Sequence, residues 1–291
     1  MNFQVLRFSG IMLSLALSLA ALPAHADAVL DYEISAKGRP PQAQTAFVKD
    51  GRILMKGFTG SADGDMLFDQ AKQNITIINH RDKKFMTVDE KAVQQMAQQV
   101  GGMMEAMRSQ MEKQMAGMTP QQRAQMEQML AGAGLSKMVE AKPAAPAAAP
   151  KQTLKAGAAR TVNGFACQTI EMLRDGKKEG EMCVAKPQAL GLSGADYDTV
   201  RALQTYGEKL AKQAGELAAR FGVQIPSFSG AAVDGVPVEV VDESPAGGGV
   251  RVAVKKAASQ AVDGKVFAIP AGYTQAALPT LPGMPAAPVA R

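Results

Sequence analysis

Between residues 28 and 88 apolar and polar side chains alternate in short runs. VLDYEIS (29–35) places Leu30, Tyr32 and Ile34 on one face of a strand. FVKDGRILMKG sets Asp50-Gly51 between Phe47-Val48 and Ile53-Met55, the signature of a two-residue hairpin. MLFD (66–69), NITIIN (74–79) and KFMTV (84–88) follow, separated by AKQ and HRDK turns. Short strands at this spacing, with no crossover helix between them, predict an antiparallel meander. At Asp89 the period lengthens. Asp89 can cap a helix beginning at Glu90. Apolar residues then recur at Val93, Met96, Val100, Met103, Met107, Met111, Met115 and Met118, three or four apart, so one helical face is nearly all methionine. Thr119-Pro120-Gln121-Gln122 reads as the start of a second helix, running to about Leu130 and ending at Gly132 and Gly134.

KPAAPAAAP (142–150) has three prolines and no large side chain, and reads as a semi-rigid linker. Beyond it, Phe165 to Leu173 and Glu181 to Ala185 flank an Asp175-Gly176 turn. Ser193-Gly194-Ala195-Asp196 is a capping box for a helix toward Phe221. Its seam is Val200, Leu203, Gly207, Leu210, Ala214, Leu217 and Phe221. VPVEVVD (236–242), VRVAVKK (250–256) and VFAI (266–269) return to strand patterning. The whole reads as α+β: a curved antiparallel sheet with helices packed on one face. One domain, 27–275, carries a helical Met-rich insertion (90–141), and 276–291 forms a loose Pro/Ala-rich tail.

The first 26 residues read as an address. Arg7 precedes a twelve-residue apolar run, Ile11 to Leu22, and Ala24-His25-Ala26 is a signal-peptidase site, with cleavage expected after Ala26. Twelve helical residues span ~18 Å, short of the ~30 Å hydrocarbon core, so a membrane-spanning anchor is not expected. No Cys lies near the cleavage point to carry a lipid. The expected location is the periplasm. There Cys167 and Cys183, facing each other across the Asp175-Gly176 hairpin, are expected to form a disulfide. Closing a loop of about 15 residues stabilises by ~3 kcal/mol in the chain-entropy account. Their spacing is far from the C-x-x-C of redox pairs.

Composition narrows the chemistry. At 46% hydrophobic and 20% charged, the chain has ample material for a core. Its formal net charge of +5, one less without Arg7, is mild. With no run of five basic residues and no interleaved aromatics, no nucleic-acid partner is expected. There are two histidines, and one, His25, lies in the leader. His80 sits in a turn and reads as a surface residue. No G-x-S-x-G is present, Gly247-Gly248-Gly249 precedes no helix, and Asp63-x-Asp65 lacks the rest of a calcium loop. No enzymatic centre, catalytic residue, metal site or cofactor is expected. The methionine face reads first as packing. Its sharper readings are an adaptable apolar surface and a soft-metal site in which Met103, Met107 and Met111 take Cu(I) or Ag(I).

MLFDQAKQNITIINHRDKKFMTVD, the helix ending MTPQQRAQMEQM, NGFACQTIEM with EMCVA, and the closing VFAIPAGY resemble an exported bacterial family, domain of unknown function 4412. More distantly, a curved meander with helices on one face resembles the periplasmic lipoprotein carrier and receptor fold of LolA and LolB. That likeness implies a half-barrel enclosing an apolar cavity for an acyl chain. PQQR is also faintly similar to Spy-type envelope chaperones, although those are all-helical. The resulting expectation is a non-enzymatic exported protein that binds a hydrophobic ligand or a cell-envelope partner in a concave sheet. Met103, Met107 and Met111 would face that ligand as a cover, with Gly101-Gly102 loosening the helix beside them. The rivals are soft-metal binding and a holdase-like helix. The sequence carries no signal for oligomeric state.

Overall fold

The computed structural model describes residues 27–58, 63–117, 119, 121–122, 152–219, 233–244 and 249–276. The expected signal (1–26), the bulk of the second helix (123–130), the linker (142–150) and the tail from 277 lie outside the described residues. Six strands come first: β1 (Ala28–Ser35), β2 (Gln42–Lys49), β3 (Arg52–Lys56), β4 (Gly64–Asp69), β5 (Asn74–Asn79) and β6 (Lys84–Asp89). Helix α1 (Glu90–Ala116) follows directly. Then come β7 (Gln152–Val162), β8 (Phe165–Arg174), β9 (Lys177–Ala185), α2 (Gly194–Ala219), β10 (Val236–Asp242), β11 (Val250–Ser259) and the two-residue β12 (Thr274–Gln275).

All twelve strands form one curved, unclosed sheet in the order β12-β6-β5-β4-β3-β2-β1-β11-β10-β9-β8-β7. Every neighbouring pair is antiparallel except β12 with β6. Strands from before and after residues 142–150 meet at the centre, where β1 lies between β2 and β11. Three hairpins close through two-residue turns whose central residues are both left-handed. They are Asp50-Gly51 (φ 47° and 72°), Asn163-Gly164 (49° and 90°) and Asp175-Gly176 (50° and 80°). This turn matches the right-handed twist of the strands it joins, and glycine takes its second position at no steric cost.

Helix α2 covers one face. Ser193 Oγ accepts from the Asp196 N–H at 3.1 Å, while Asp196 Oδ2 accepts from the Ser193 N–H at 3.1 Å, closing the expected capping box. Val200, Leu203 and Leu210 then pack onto Leu30, Val48, Ile53 and Phe68 from one half of the sheet and Cys183, Val236, Val238 and Val254 from the other. Tyr206 stacks at a tilt on Phe68, centroids 5.8 Å apart, and donates to the Val88 carbonyl. The expected seam therefore holds as far as Leu210; the side chains of Ala214 and Leu217, and Phe221, lie outside the described residues. Helix α1 starts where expected, with Asp89 Oδ1 accepting from the Ala92 N–H at 2.7 Å. It meets α2 near its start. Glu90 bonds Lys209 and Gln213, and the Lys209 hydrogen bond holds its carboxyl below the usual range. The helix runs unbroken through Gly101 and Gly102.

The opposite face is crossed by a strap, residues 260–276. Val262 and Phe267 pack on Val29, Leu54 and Leu67, and the Arg52 guanidinium lies 4.8 Å from the centre of the Phe267 ring. Here the expected strand at 266–269 gives way to a 3-10 turn, Gly264–Phe267. Asp263 caps it by accepting from the Lys265 N–H, and Pro270, which has no N–H to give to a ladder, follows. No helix among the described residues is long and apolar enough to cross a membrane.

Candidate functional site

Three constellations stand out, on different parts of the sheet. The first is an apolar groove on the face of β7, β8 and β9 turned away from α2. Its volume is about 280 Å³, and Leu154, Ala156, Ile170, Val184 and Val233 line it. Directly paired residues share a face, so Ala156 opposite Ile170 and Gln168 opposite Val184 build the floor from three strands. Gln168 and Asp234 give the rim its polar groups. Tyr197, on α2, fixes the wall. Its hydroxyl donates to Asp234 Oδ1 at 2.9 Å and accepts from the Gly235 N–H at 2.7 Å. Burial and the neighbouring Asp234 carboxylate push this phenol above its ordinary pKa. Gly235 has φ 130°, and a Cβ there would lie 2.6 Å from Val184 Cγ1 and 2.7 Å from the Ala185 carbonyl. The wall can approach the floor this closely only because position 235 has no side chain.

Next to the groove, on the other face, lies the disulfide Cys167–Cys183, with Cα atoms 5.4 Å apart. The bond is the expected one, but its placement differs from the expectation. An irregularity between Met172 and Leu173 shifts the register, so Thr169 faces Cys183 and the two cysteines are diagonal neighbours. Both are buried, at 7% and 0% exposure. Beside them Arg160 donates to Thr169 Oγ1 and to Glu181 Oε1. Glu239, 4% exposed, sits between Arg160 and Arg251. The Arg251 Nε–H donates to Glu239 at 2.7 Å, whereas the Arg160 contact is a close ion pair without hydrogen-bond alignment. A hydrogen bond from Lys178 holds the Glu181 carboxyl below its usual range. Lys178 also reaches Glu243 Oε1 at 3.9 Å, so three cations meet three carboxylates, and the network braces strands β7 to β11.

The third constellation was not legible as such. His80, read as a surface turn residue, is held on both ring nitrogens. Nε2 lies 2.9 Å from Asp65 Oδ2 and Nδ1 lies 2.9 Å from Tyr273 Oη. Asp65 is buried, and its other oxygen accepts from the Gly57 N–H. A carboxylate only accepts, so Nε2 carries the proton that faces Asp65, and the direction of the Nδ1–Tyr273 bond follows the tautomer. The chain of contacts clasps the end of the strap. The Thr274 and Ala276 N–H groups bond the carbonyls of Lys83 and Phe85 beside it. Tyr273 is 193 residues from His80 in sequence, and no local spacing signals the pair. Asp63 pairs with Arg81 at 2.6 Å. Among the described residues no group of three or more His, Cys, Asp or Glu side chains could hold a metal.

Met103, Met107 and Met111 lie on α1, apart from all three constellations in sequence, and their side chains lie outside those described. The structure therefore does not bring them to the groove or keep them from it. The family model described as Domain of unknown function (DUF4412) matches residues 93–273. No curated protein matches the chain.

Proposed function

The chain belongs to the DUF4412 family, and on that footing we propose that it is an exported, non-enzymatic protein that binds an apolar ligand or envelope partner against its sheet. One observation carries the reading: the groove over β7 to β9, with an apolar floor, a polar rim and a wall pinned by Tyr197. At about 280 Å³ it is at the small end of ligand sites, sized for a short acyl segment or an apolar side chain. The curved sheet, left unclosed, supports the comparison with a lipoprotein-carrier half-barrel. In this chain the face beneath α2 is filled by Tyr206, Leu203 and Phe68, so we place the ligand on the opposite face. The buried disulfide supports export to an oxidising compartment, as does the leader ending at Ala26. In this reading the methionine face of α1 supplies an adaptable cover.

The test is titration of the exported chain with an environment-sensitive apolar dye. Ile170→Gln should weaken binding about tenfold or more, because burial of one such side chain contributes ~1.5–3 kcal/mol. Replacing Met103, Met107 and Met111 by Gln should weaken it further if α1 covers the site. Dye binding untouched by Ile170→Gln would remove the groove from the proposal. Absence of dye binding, with stoichiometric Ag(I) binding abolished by the three Met→Gln changes, would replace the proposal with the soft-metal reading.

A further inference from the structure

The two edges of the sheet are treated differently. At one edge the strap lays β12 along β6 and fastens it through Tyr273 and His80. At the other, β7 is eleven residues long and has no strand partner on its outer side among the described residues. A free edge presents unpaired N–H and C=O groups to any strand that fits. We infer that β7 is an interface between two copies of this chain, pairing antiparallel with itself about Leu154 and running the two sheets together.

Three observations select a second copy. The segment before the irregularity at Ala156–Ala159 is regular. Pairing it about Leu154 sets Leu154 against Leu154, Thr153 against Lys155 and Gln152 against Ala156, so no like charges meet. Leu154 and Ala156 also line the groove, which reaches β7 and stops there. Because residues directly opposite across a two-fold axis share a face, the second Leu154 extends the groove's apolar floor beyond the edge. Finally, the cations on β7 already have partners on the same sheet, Lys155 with Glu171 and Arg160 with Glu181 and Glu239. The edge therefore attracts no acidic strand in preference to its own kind. The pairing segment is short, so the association belongs to the weak, concentration-dependent class.

The inference does not depend on the ligand. Sedimentation of the disulfide-intact chain over roughly 1 to 500 μM should show the mass rising from monomer to dimer, as expected for a micromolar association. Leu154→Arg, which sets two guanidinium groups face to face, should raise the dissociation constant at least tenfold with the melting transition retained. Leu154→Cys should give a covalent link between the two chains on mild oxidation, since directly opposed strand residues fall within disulfide reach. A monomer over the whole range would overturn the inference. So would a dimer indifferent to Leu154→Arg, or a dimer of the Leu154→Cys variant whose introduced thiols do not join. If the arginine variant fails to fold, the cysteine variant alone decides.

Discussion

Asp27, the first described residue, shows how much one side chain can fasten. Its carboxylate accepts from Lys49 Nζ at 2.8 Å and from the Val262 N–H at 2.7 Å, joining β2 to the start of the strap. Burial opposes its ionisation, but these two hydrogen bonds outweigh burial and hold its pKa below the ordinary carboxylate value. A depressed pKa gives stability that is fully present above about pH 4 and is lost as pH falls through the lower, folded value. Asp27→Asn should therefore lower stability by ~1–3 kcal/mol at neutral pH and leave a melting temperature that varies less between pH 5 and pH 2 than in the parent chain. A variant with the parent's acid sensitivity would assign that sensitivity to other carboxylates. At this scale the sequence was legible where chemistry is local. The caps at Asp89 and Ser193 are where spacing puts them, and the two cysteines are bonded as expected although diagonal instead of facing. His80 was not legible, because Asp65 and Tyr273 reach it only through folding.

At the scale of elements, alternation found β1, β3 to β6, β8, β10 and most of β9 and β11, caught only the Phe47-Val48 end of β2 and passed over the two-residue β12, and the switch to a period of three or four found both helices. It missed β7. QTLKAGAARTV is rich in alanine and mostly exposed, and Leu154 and Val162 are its only large apolar side chains, too few to show a period of two. Asn163-Gly164 was the available signal, a turn dipeptide that demands a strand on each side. The error at 266–269 runs the other way. Val266 and Phe267 are apolar enough for a strand, but Asp263 caps a 3-10 turn there and Phe267 packs onto Val29, Leu54 and Leu67 instead of joining a ladder. The strap that contains them is held at its far end by one side-chain clasp. Tyr273→Phe removes the hydrogen bond to His80, a change of ~1 kcal/mol, while leaving the ring in place. Amide exchange at Thr274 and Ala276 should quicken about fivefold, while exchange within β1 stays as it was. Equal acceleration in both would mean that the strap and the sheet centre open as one unit.

At the scale of the molecule, the strongest constraint is where the two halves of the chain meet. Ala28 pairs with Ser259 and Ile34 with Val252, so the central strand takes one neighbour from the next segment and the other from the last. Local patterning shows strands but not which of them are neighbours, and this long-range pairing had no signature in the sequence. A chain ending at Asp242 would lack β11, leaving β1 and β10 as edges, and should show no cooperative melt although it keeps ten of the twelve strands. A sharp transition in that fragment would show that the β1 to β6 meander is a folding unit by itself. The same pairing sets an order in time. A chain delivered from its N-terminus cannot complete the centre of its sheet until residues near 259 have emerged, and contacts this distant in sequence close slowly. Until then the leading segment has no finished core to jam a narrow conduit. Under the export proposed above, joining the first strand to one of the last would be a built-in delay that keeps the chain threadable until passage is nearly complete.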